Sequence, residues 1–235
     1  MTIDRLALKR EAKLQMRANS PKVYLITLLL LVIFYLLTEL TTRLMFPQLG
    51  VELQRAMERG VLSEELVLRL MSVQPSLSNR LITYAIELMT VMLSFGYLSF
   101  CLNLSRARAA GVRDLFDGFG IFFRLLWLSI LYGLFVFLWS LLFVIPGIVA
   151  AYRYSMAFYL LFDDPGKSAL DCLRESRALT QGHKGELFVL DLSFLGWWIL
   201  CLIPFVSVYV MPYYNLTRIG FYEALRSGVP GRYAV

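Results

Sequence analysis

The stretch Leu125–Tyr152, LLWLSILYGLFVFLWSLLFVIPGIVAAY, is 28 residues long and contains no charged side chain. A second stretch, Leu192–Thr217, runs for 26 residues without a charge. An α-helix rises about 1.5 Å per residue, so about 20 apolar residues cross a hydrocarbon core of roughly 30 Å. Core helices of water-soluble domains rarely need runs of this length. The two stretches therefore predict helices that lie in lipid.

The composition supports the same conclusion. Hydrophobic residues make up 58% of the chain, charged residues make up 17%, and the mean hydropathy is +0.64. The net charge of +6 fits either nucleic acid or an anionic membrane surface as a partner. The lysines and arginines flank the apolar runs, whereas a nucleic-acid-binding module carries a basic stripe. We therefore expect membrane lipids as partners and no nucleic acid, and a membrane-protein partner or a homo-oligomer stays open.

The predicted fold is an all-α, polytopic transmembrane helical bundle of about six spans. A single helix from Leu125 to Phe162 would be about 57 Å long, too long for one crossing. We predict that it turns back at Pro146-Gly147, because proline removes a donor and clashes with the preceding turn. Pro204 predicts a second break. The predicted spans within the transmembrane domain 22–225 are residues 22–40, 81–104, 125–145, 147–162, 187–203 and 206–225.

The segments between and beside these spans are more polar. Residues 1–21 predict a basic amphipathic helix that lies on an anionic leaflet, with a solvated helical lead-in as the alternative. Residues 41–80 predict an extramembrane helical hairpin, residues 163–186 a cytoplasmic helix, and residues 226–235 a C-terminal tail. With both termini in the cytoplasm, the inner segments hold 17 lysines and arginines and the outer ones hold five. This imbalance favours that orientation, because basic residues are retained on the cytoplasmic side.

Catalytic and metal-binding signatures are absent from the sequence. It contains no GxxxxGK[ST], HExxH, GxSxG or GxGxxG pattern, and its one histidine is His183. The three cysteines, Cys101, Cys172 and Cys201, show no CxxC spacing. We therefore expect a protein that is not an enzyme, with no catalytic residue, cofactor or metal.

Four ionisable residues fall at membrane depth, where a charge is costly and usually faces a partner or an aqueous cavity. From their depths in the predicted topology we expect two pairs, Glu87 with Arg153 and Asp191 with Arg218. Either the pairs fix helix register without contacting a ligand, or they line a polar cavity for a lipid headgroup or a solute.

Two functions follow from these residues. The first is a non-catalytic membrane protein that binds lipid or a membrane partner in envelope maintenance or assembly. The alternative is a small-solute transporter or permease, which the breaks at Pro146, Gly147 and Pro204 favour. A continuous polar cavity that reaches mid-bilayer and is lined by these charges would favour transport, and a dry core with closed ion pairs would favour the first function.

The second half of the chain resembles a family of uncharacterised bacterial integral membrane proteins, domain of unknown function 975. The resemblance covers about residues 81–225 and implies a polytopic helical protein of the bacterial inner (plasma) membrane, without a known activity. It does not extend to the polar segment 41–80. The motifs that carry it are Asp114–Phe119 (DLFDGF), Trp139–Gly147 (WSLLFVIPG), Arg153–Tyr159 (RYSMAFY), Ser176–Lys184 (SRALTQGHK) and Glu186–Trp197 (ELFVLDLSFLGW).

Overall fold

The computed structural model describes residues 3–46 and 75–228, and these residues form helices without any β-strand. The predicted all-α class is confirmed. Most of the predicted hairpin 41–80, from residue 47 to 74, lies outside the described residues, as does the predicted tail from residue 229 onward. The principal helices are α1 (Arg5–Ala18), α2 (Lys22–Met45), α3 (Leu77–Ser105), α4 (Phe122–Leu142), α5 (Val144–Tyr154), α6 (Ala157–Asp163), α7 (Ala169–Leu179), α8 (Lys184–Leu192), α9 (Leu195–Leu200) and α10 (Pro204–Ser227).

The chain divides into two compact units. The larger unit comprises Met1–Leu28 and Ser94–Val235, and the smaller comprises Leu29–Leu93. Helices α2 and α3 each contribute residues to both units. The larger unit contains all of the other helices, and it is the unit in which side-chain sites are described below.

Four helical segments are long and apolar enough to cross a membrane: Lys22–Met45, Leu77–Ser105, Phe122–Leu142 and Val144–Asp163. They correspond to the first four predicted spans. The predicted fifth span is interrupted at Ser193–Phe194, between α8 and α9. The sixth corresponds to α10, which carries several polar side chains. Crossing by these last two segments stays a prediction.

The helices of the first two predicted spans, α2 and α3, are longer than predicted. Helix α2 continues past Leu40 to Met45, and α3 begins at Leu77 instead of residue 81. The added turn of α2 is stabilised by side chains, because Arg43 Nε donates to Glu39 Oε1 at 2.8 Å. Asn79 Nδ2 also donates to the carbonyl of Leu44 at 2.9 Å, which joins the two helix ends. Polar composition alone therefore placed the end of the first span too early and the start of the second span too late.

The turn between α4 and α5 lies earlier than predicted. Phe143 is extended, with φ −163° and ψ 157°, and α5 begins at Val144. Pro146 lies in the first turn of α5, where a missing backbone N–H breaks no helical hydrogen bond. The predicted break at Pro146-Gly147 is therefore wrong by three residues. A break at Pro204 is present, and α10 begins at this proline instead of Val206.

Apolar side chains cover the surfaces of both turns. Phe143, Val144 and Ile145 are each about three-quarters exposed. In the other turn, Leu202 is 85% exposed and Phe205 is 82% exposed. Water would make such turns unfavourable, so their exposure agrees with an apolar environment.

The two predicted surface helices have defined positions in the larger unit. Helix α1 buries Leu8, Ala12 and Met16 and packs along α10. Neither expectation for residues 1–21 included this packing. Helix α7 is shorter than the predicted segment 163–186. It begins after Ser168, whose hydroxyl accepts the N–H of Asp171.

Gly147 lies at the closest approach of α4 and α5. A Cβ added there would lie 2.9 Å from Ser140 Cα, so the helices would have to separate. We expect Gly147→Ala to destabilise the protein by about 2 kcal/mol through overpacking. Gly133 has no neighbour within 4 Å of an added Cβ, so Gly133→Ala is the matched control and should be neutral or stabilising. Thermal unfolding in mild detergent measures both. Equal melting temperatures for the two variants would contradict the close packing.

Candidate functional site

A cavity of about 710 Å³ lies inside the larger unit. Side chains from α3, α4, α5, α6, α8 and α10, together with Ser155 between α5 and α6, line it, and most of them are apolar or aromatic. The lining residues are Ser94, Phe95, Leu98, Tyr132, Ile148, Ala151, Tyr152, Ser155, Phe158, Tyr159, Phe188, Asp191, Asn215 and Arg218. The volume falls within the range of small-molecule sites, about 300–1,000 Å³.

Asp191 and Arg218 supply the two charges of this cavity. Arg218 Nε lies 3.9 Å from Asp191 Oδ1, so the pair predicted from the sequence is present. The distance is too long for a hydrogen bond, and both atoms are buried without a hydrogen-bond partner. Another nitrogen of Arg218 donates to the hydroxyl of Tyr214 at 3.0 Å. The ion pair is therefore loosely closed and retains capacity to bind a polar group.

The local sequence explains how the two charges meet. Asp191 lies in the last turn of α8, directly before the break at Ser193–Phe194. The hydroxyl of Ser193 donates to the carbonyl of Leu190, which competes with continuation of the helix. Arg218 lies on α10, the helix that returns after Pro204. The antiparallel return brings two residues that are 27 positions apart to the same level.

Aromatic rings form much of the remaining wall. Phe158 packs between Phe95 and Tyr132, with ring centroids 4.8 and 5.5 Å away. Tyr152 contacts Phe188 edge-to-face at 5.8 Å. Such walls provide apolar contact area with few rotatable bonds. The cavity combines a polar pair with rigid apolar sides.

The two residues of the other predicted pair belong to different units. Glu87 belongs to the smaller unit, where its side chain is exposed, and Arg153 belongs to the larger one. The pairing of these two residues stays a prediction. Within its own unit, Arg153 places its guanidinium 5.7 Å from the ring centroid of Trp139.

A charged network that the sequence did not predict lies at the ends of α3, α6 and α10. Arg106 donates to Asp163 at 2.5 Å and to Glu223 at 2.5 Å, and Arg226 also pairs with Asp163. The hydroxyl of Tyr222 donates to Asp163 at 2.6 Å. Only 5% of the Asp163 side chain is exposed. The sequence contains one signal that could have predicted this network: Arg106 and Asp163 each lie at the end of an apolar helix.

Electrostatics keep the central arginine of this network charged. Burial alone would lower the pKa of Arg106, but hydrogen bonds to Asp163 and Glu223 outweigh burial and raise it. The network is therefore an ionic connection among three helix ends.

Potential metal ligands are dispersed. Within residues 3–46 and 75–228, no group of three histidine, cysteine, aspartate or glutamate side chains could hold a metal ion. The one histidine, His183, pairs with Glu186, and its Nδ1 lies 3.0 Å from Glu186 Oε2.

Comparison with known proteins finds one family model that is similar to part of the chain. Residues 141–228 match the family described as Protein of unknown function (DUF975). The matched segment runs from the end of α4 through α10 and includes Arg153, Asp191 and Arg218. The match covers fewer residues than the resemblance seen in the sequence, because the motif at Asp114–Phe119 and Trp139 lie before its first residue. No curated protein and no solved structure matches the chain.

Removing the charge of Asp163 should destabilise the larger unit. Asp163→Asn would leave Arg106 and Arg226 without their shared carboxylate, at a cost of about 3 kcal/mol. Asp171→Asn is the control, because Asp171 forms an exposed pair with Arg174 that contributes less than about 1 kcal/mol. Unfolding by sodium dodecyl sulfate in mixed micelles measures both. Equal stability of the two variants would show that the network is not structural.

Proposed function

We propose that the protein is a non-catalytic membrane protein that binds the polar headgroup of a lipid in the cavity at Asp191 and Arg218. The loosely closed ion pair carries this proposal, because Asp191 and Arg218 line the cavity and each has one buried polar atom without a hydrogen-bond partner. Unsatisfied buried polar groups are costly, and a polar ligand would satisfy them. The proposed biological role is envelope maintenance or assembly.

The lining of the cavity is mostly apolar and aromatic, which favours lipid binding over transport, for which a continuous polar cavity is expected. The headgroup that fits it has both polar and apolar parts. Asp191 and Arg218 together carry no net charge, so a neutral or zwitterionic group fits better than an anion alone. The aromatic side chains around Phe158 would contact the apolar part. A ligand of this kind is a lipid, which reaches the protein from the surrounding membrane.

The proposed location is the bacterial inner membrane, with both termini in the cytoplasm. The asymmetry of lysines and arginines supports this orientation. The network at Asp163 agrees with this orientation, because the predicted topology places the end of α3 and the end of α6 on the same, cytoplasmic side. Arg106 and Asp163 are in contact, as two residues on one face of a membrane can be.

Transport of a small solute is the second candidate. Two observations favour it: the 3.9 Å separation of the ion pair and the interruption between α8 and α9 beside it. Discontinuous helices next to intramembrane charges are common at transporter substrate sites. Lipid binding and transport differ in whether the ligand leaves on the other side of the membrane.

Mass spectrometry of the lipids that co-purify with the full chain in mild detergent tests the proposal. Ala151→Trp should fill the cavity without changing its charge, and we expect at least about tenfold less bound lipid, equivalent to about 1.4 kcal/mol. Leu138→Trp adds the same ring on the exposed surface of α4 and is the control. Equal lipid retention by both variants would contradict headgroup binding. If solute flux into proteoliposomes is abolished by Ala151→Trp but not by Leu138→Trp, the result would favour transport.

A further inference from the structure

A second, smaller cavity of about 270 Å³ lies on the exposed side of the α4–α5 hairpin. Trp139, Ile145, Pro146, Val149, Ala150 and Arg153 line it. The α5 residues recur at intervals of three or four positions, so they share one helix face. They form a groove of about 12 Å that runs from Arg153 toward the turn at Phe143. Except for Arg153, its walls are apolar.

Arg153 enters this groove with an unsatisfied donor. Its Nε is buried and has no hydrogen-bond partner, while the guanidinium lies above the ring of Trp139. Stacking on an aromatic ring attracts the cation but does not accept its N–H groups. The remaining donors are available for an anion with oxygen acceptors.

Two more cations lie on or shortly after helix α7, which packs beside α5. The hydroxyls of Ser176 and Thr180 both donate to the carbonyl of Arg153, at 3.0 and 3.1 Å. These bonds fix the end of α7 beside α5. Arg177 lies one turn before Thr180, and Lys184 lies four positions after it. Burial, followed by the charges of Arg153 and Arg177, lowers the pKa of Lys184, which agrees with their proximity.

The three cations lack carboxylate partners. Within the described part of the larger unit, Arg153, Arg177 and Lys184 form no ion pair. Glu186, the acidic residue closest to Lys184 in sequence, pairs with His183. The cluster is therefore an uncompensated positive site at one end of an apolar groove.

We propose that this cluster binds the phosphate of an anionic phospholipid whose acyl chain occupies the groove of α5. The guanidinium of Arg153 has the planar donor geometry that phosphate oxygens accept, and the other two cations add charge. Inorganic phosphate would satisfy the cations but leave the apolar groove empty, whereas a lipid fills both. The site is separate from the cavity at Asp191, whose charges cancel, so the two sites favour different headgroups.

Spin-labelled phosphatidylglycerol and phosphatidylcholine, added to the full chain in phosphatidylcholine vesicles, measure the preference for an anionic lipid. We expect the unchanged protein to prefer phosphatidylglycerol. Arg177→Gln with Lys184→Gln removes two cations outside the hairpin and should reduce the preference about fivefold per charge. A double variant of Arg108 and Arg113, Arg108→Gln with Arg113→Gln, removes two exposed cations elsewhere in the larger unit and is the control.

A second variant tests the groove without changing its charge. Val149→Trp fills the space beside Arg153, so the preference should fall although all three cations remain. An unchanged preference in this variant, or equal losses in the Arg108, Arg113 control and the Arg177, Lys184 variant, would overturn the proposal. Displacement of the labelled lipid by millimolar inorganic phosphate would also overturn it, because the groove would then contribute nothing.

The predicted Glu87–Arg153 pair gives an independent check. If Glu87→Leu restored the stability lost in Arg153→Leu, Arg153 would have a carboxylate partner, and the proposed lipid site would be wrong. If the double variant is no more stable than Arg153→Leu, the result agrees with a phosphate as the partner. The cavity proposal is unaffected, because Ala151→Trp tests it at a different place.

Discussion

Hydrocarbon neither hydrates a charge nor accepts a hydrogen bond, and this constraint determines where the polar groups of the protein lie. The long apolar helices satisfy it by forming their backbone bonds internally. Charged side chains occur at helix ends, as at Asp163, or beside an opposite charge, as at Asp191 and Arg218. Arg153 differs, because it has no carboxylate partner among the described residues of its own unit. The few polar atoms that remain without partners are conspicuous, because the surroundings cannot compensate for them.

The two kinds of charged site differ in how completely they are closed. Around Asp163, two arginines and a tyrosine hydroxyl satisfy one nearly buried carboxylate, so the network connects helices and leaves little capacity for a ligand. Arg218 instead lies 3.9 Å from its carboxylate, beside empty space. The Asp163 network thus serves stability, and the Asp191–Arg218 pair is the proposed ligand site. A substitution in one cluster can therefore change its property without changing the other.

The sequence predicted the helices well because run length and charge are local properties. It also predicted the Asp191–Arg218 pair, since helical rise converts residue number into depth when the turn at Pro204 is correctly placed. The turn near Phe143 was misplaced because proline fits the first turn of a helix as well as its end. The Asp163 network and the docking of α1 on α10 were not predicted, because both depend on contacts between segments that are far apart in the sequence.

The apolar turns at Phe143 and Leu202 have a mechanical consequence. A loop with lysines, aspartates or serines holds a hairpin at the boundary between water and lipid, since moving those groups in either direction is costly. These two turns carry no such groups, and the prolines in the turns that follow lack the N–H groups that would otherwise need solvent. If the two hairpins cross a membrane, each is held at its depth by charges away from its tip, such as Arg153 and the Asp191–Arg218 pair, and the tip can adapt to a bilayer of different thickness.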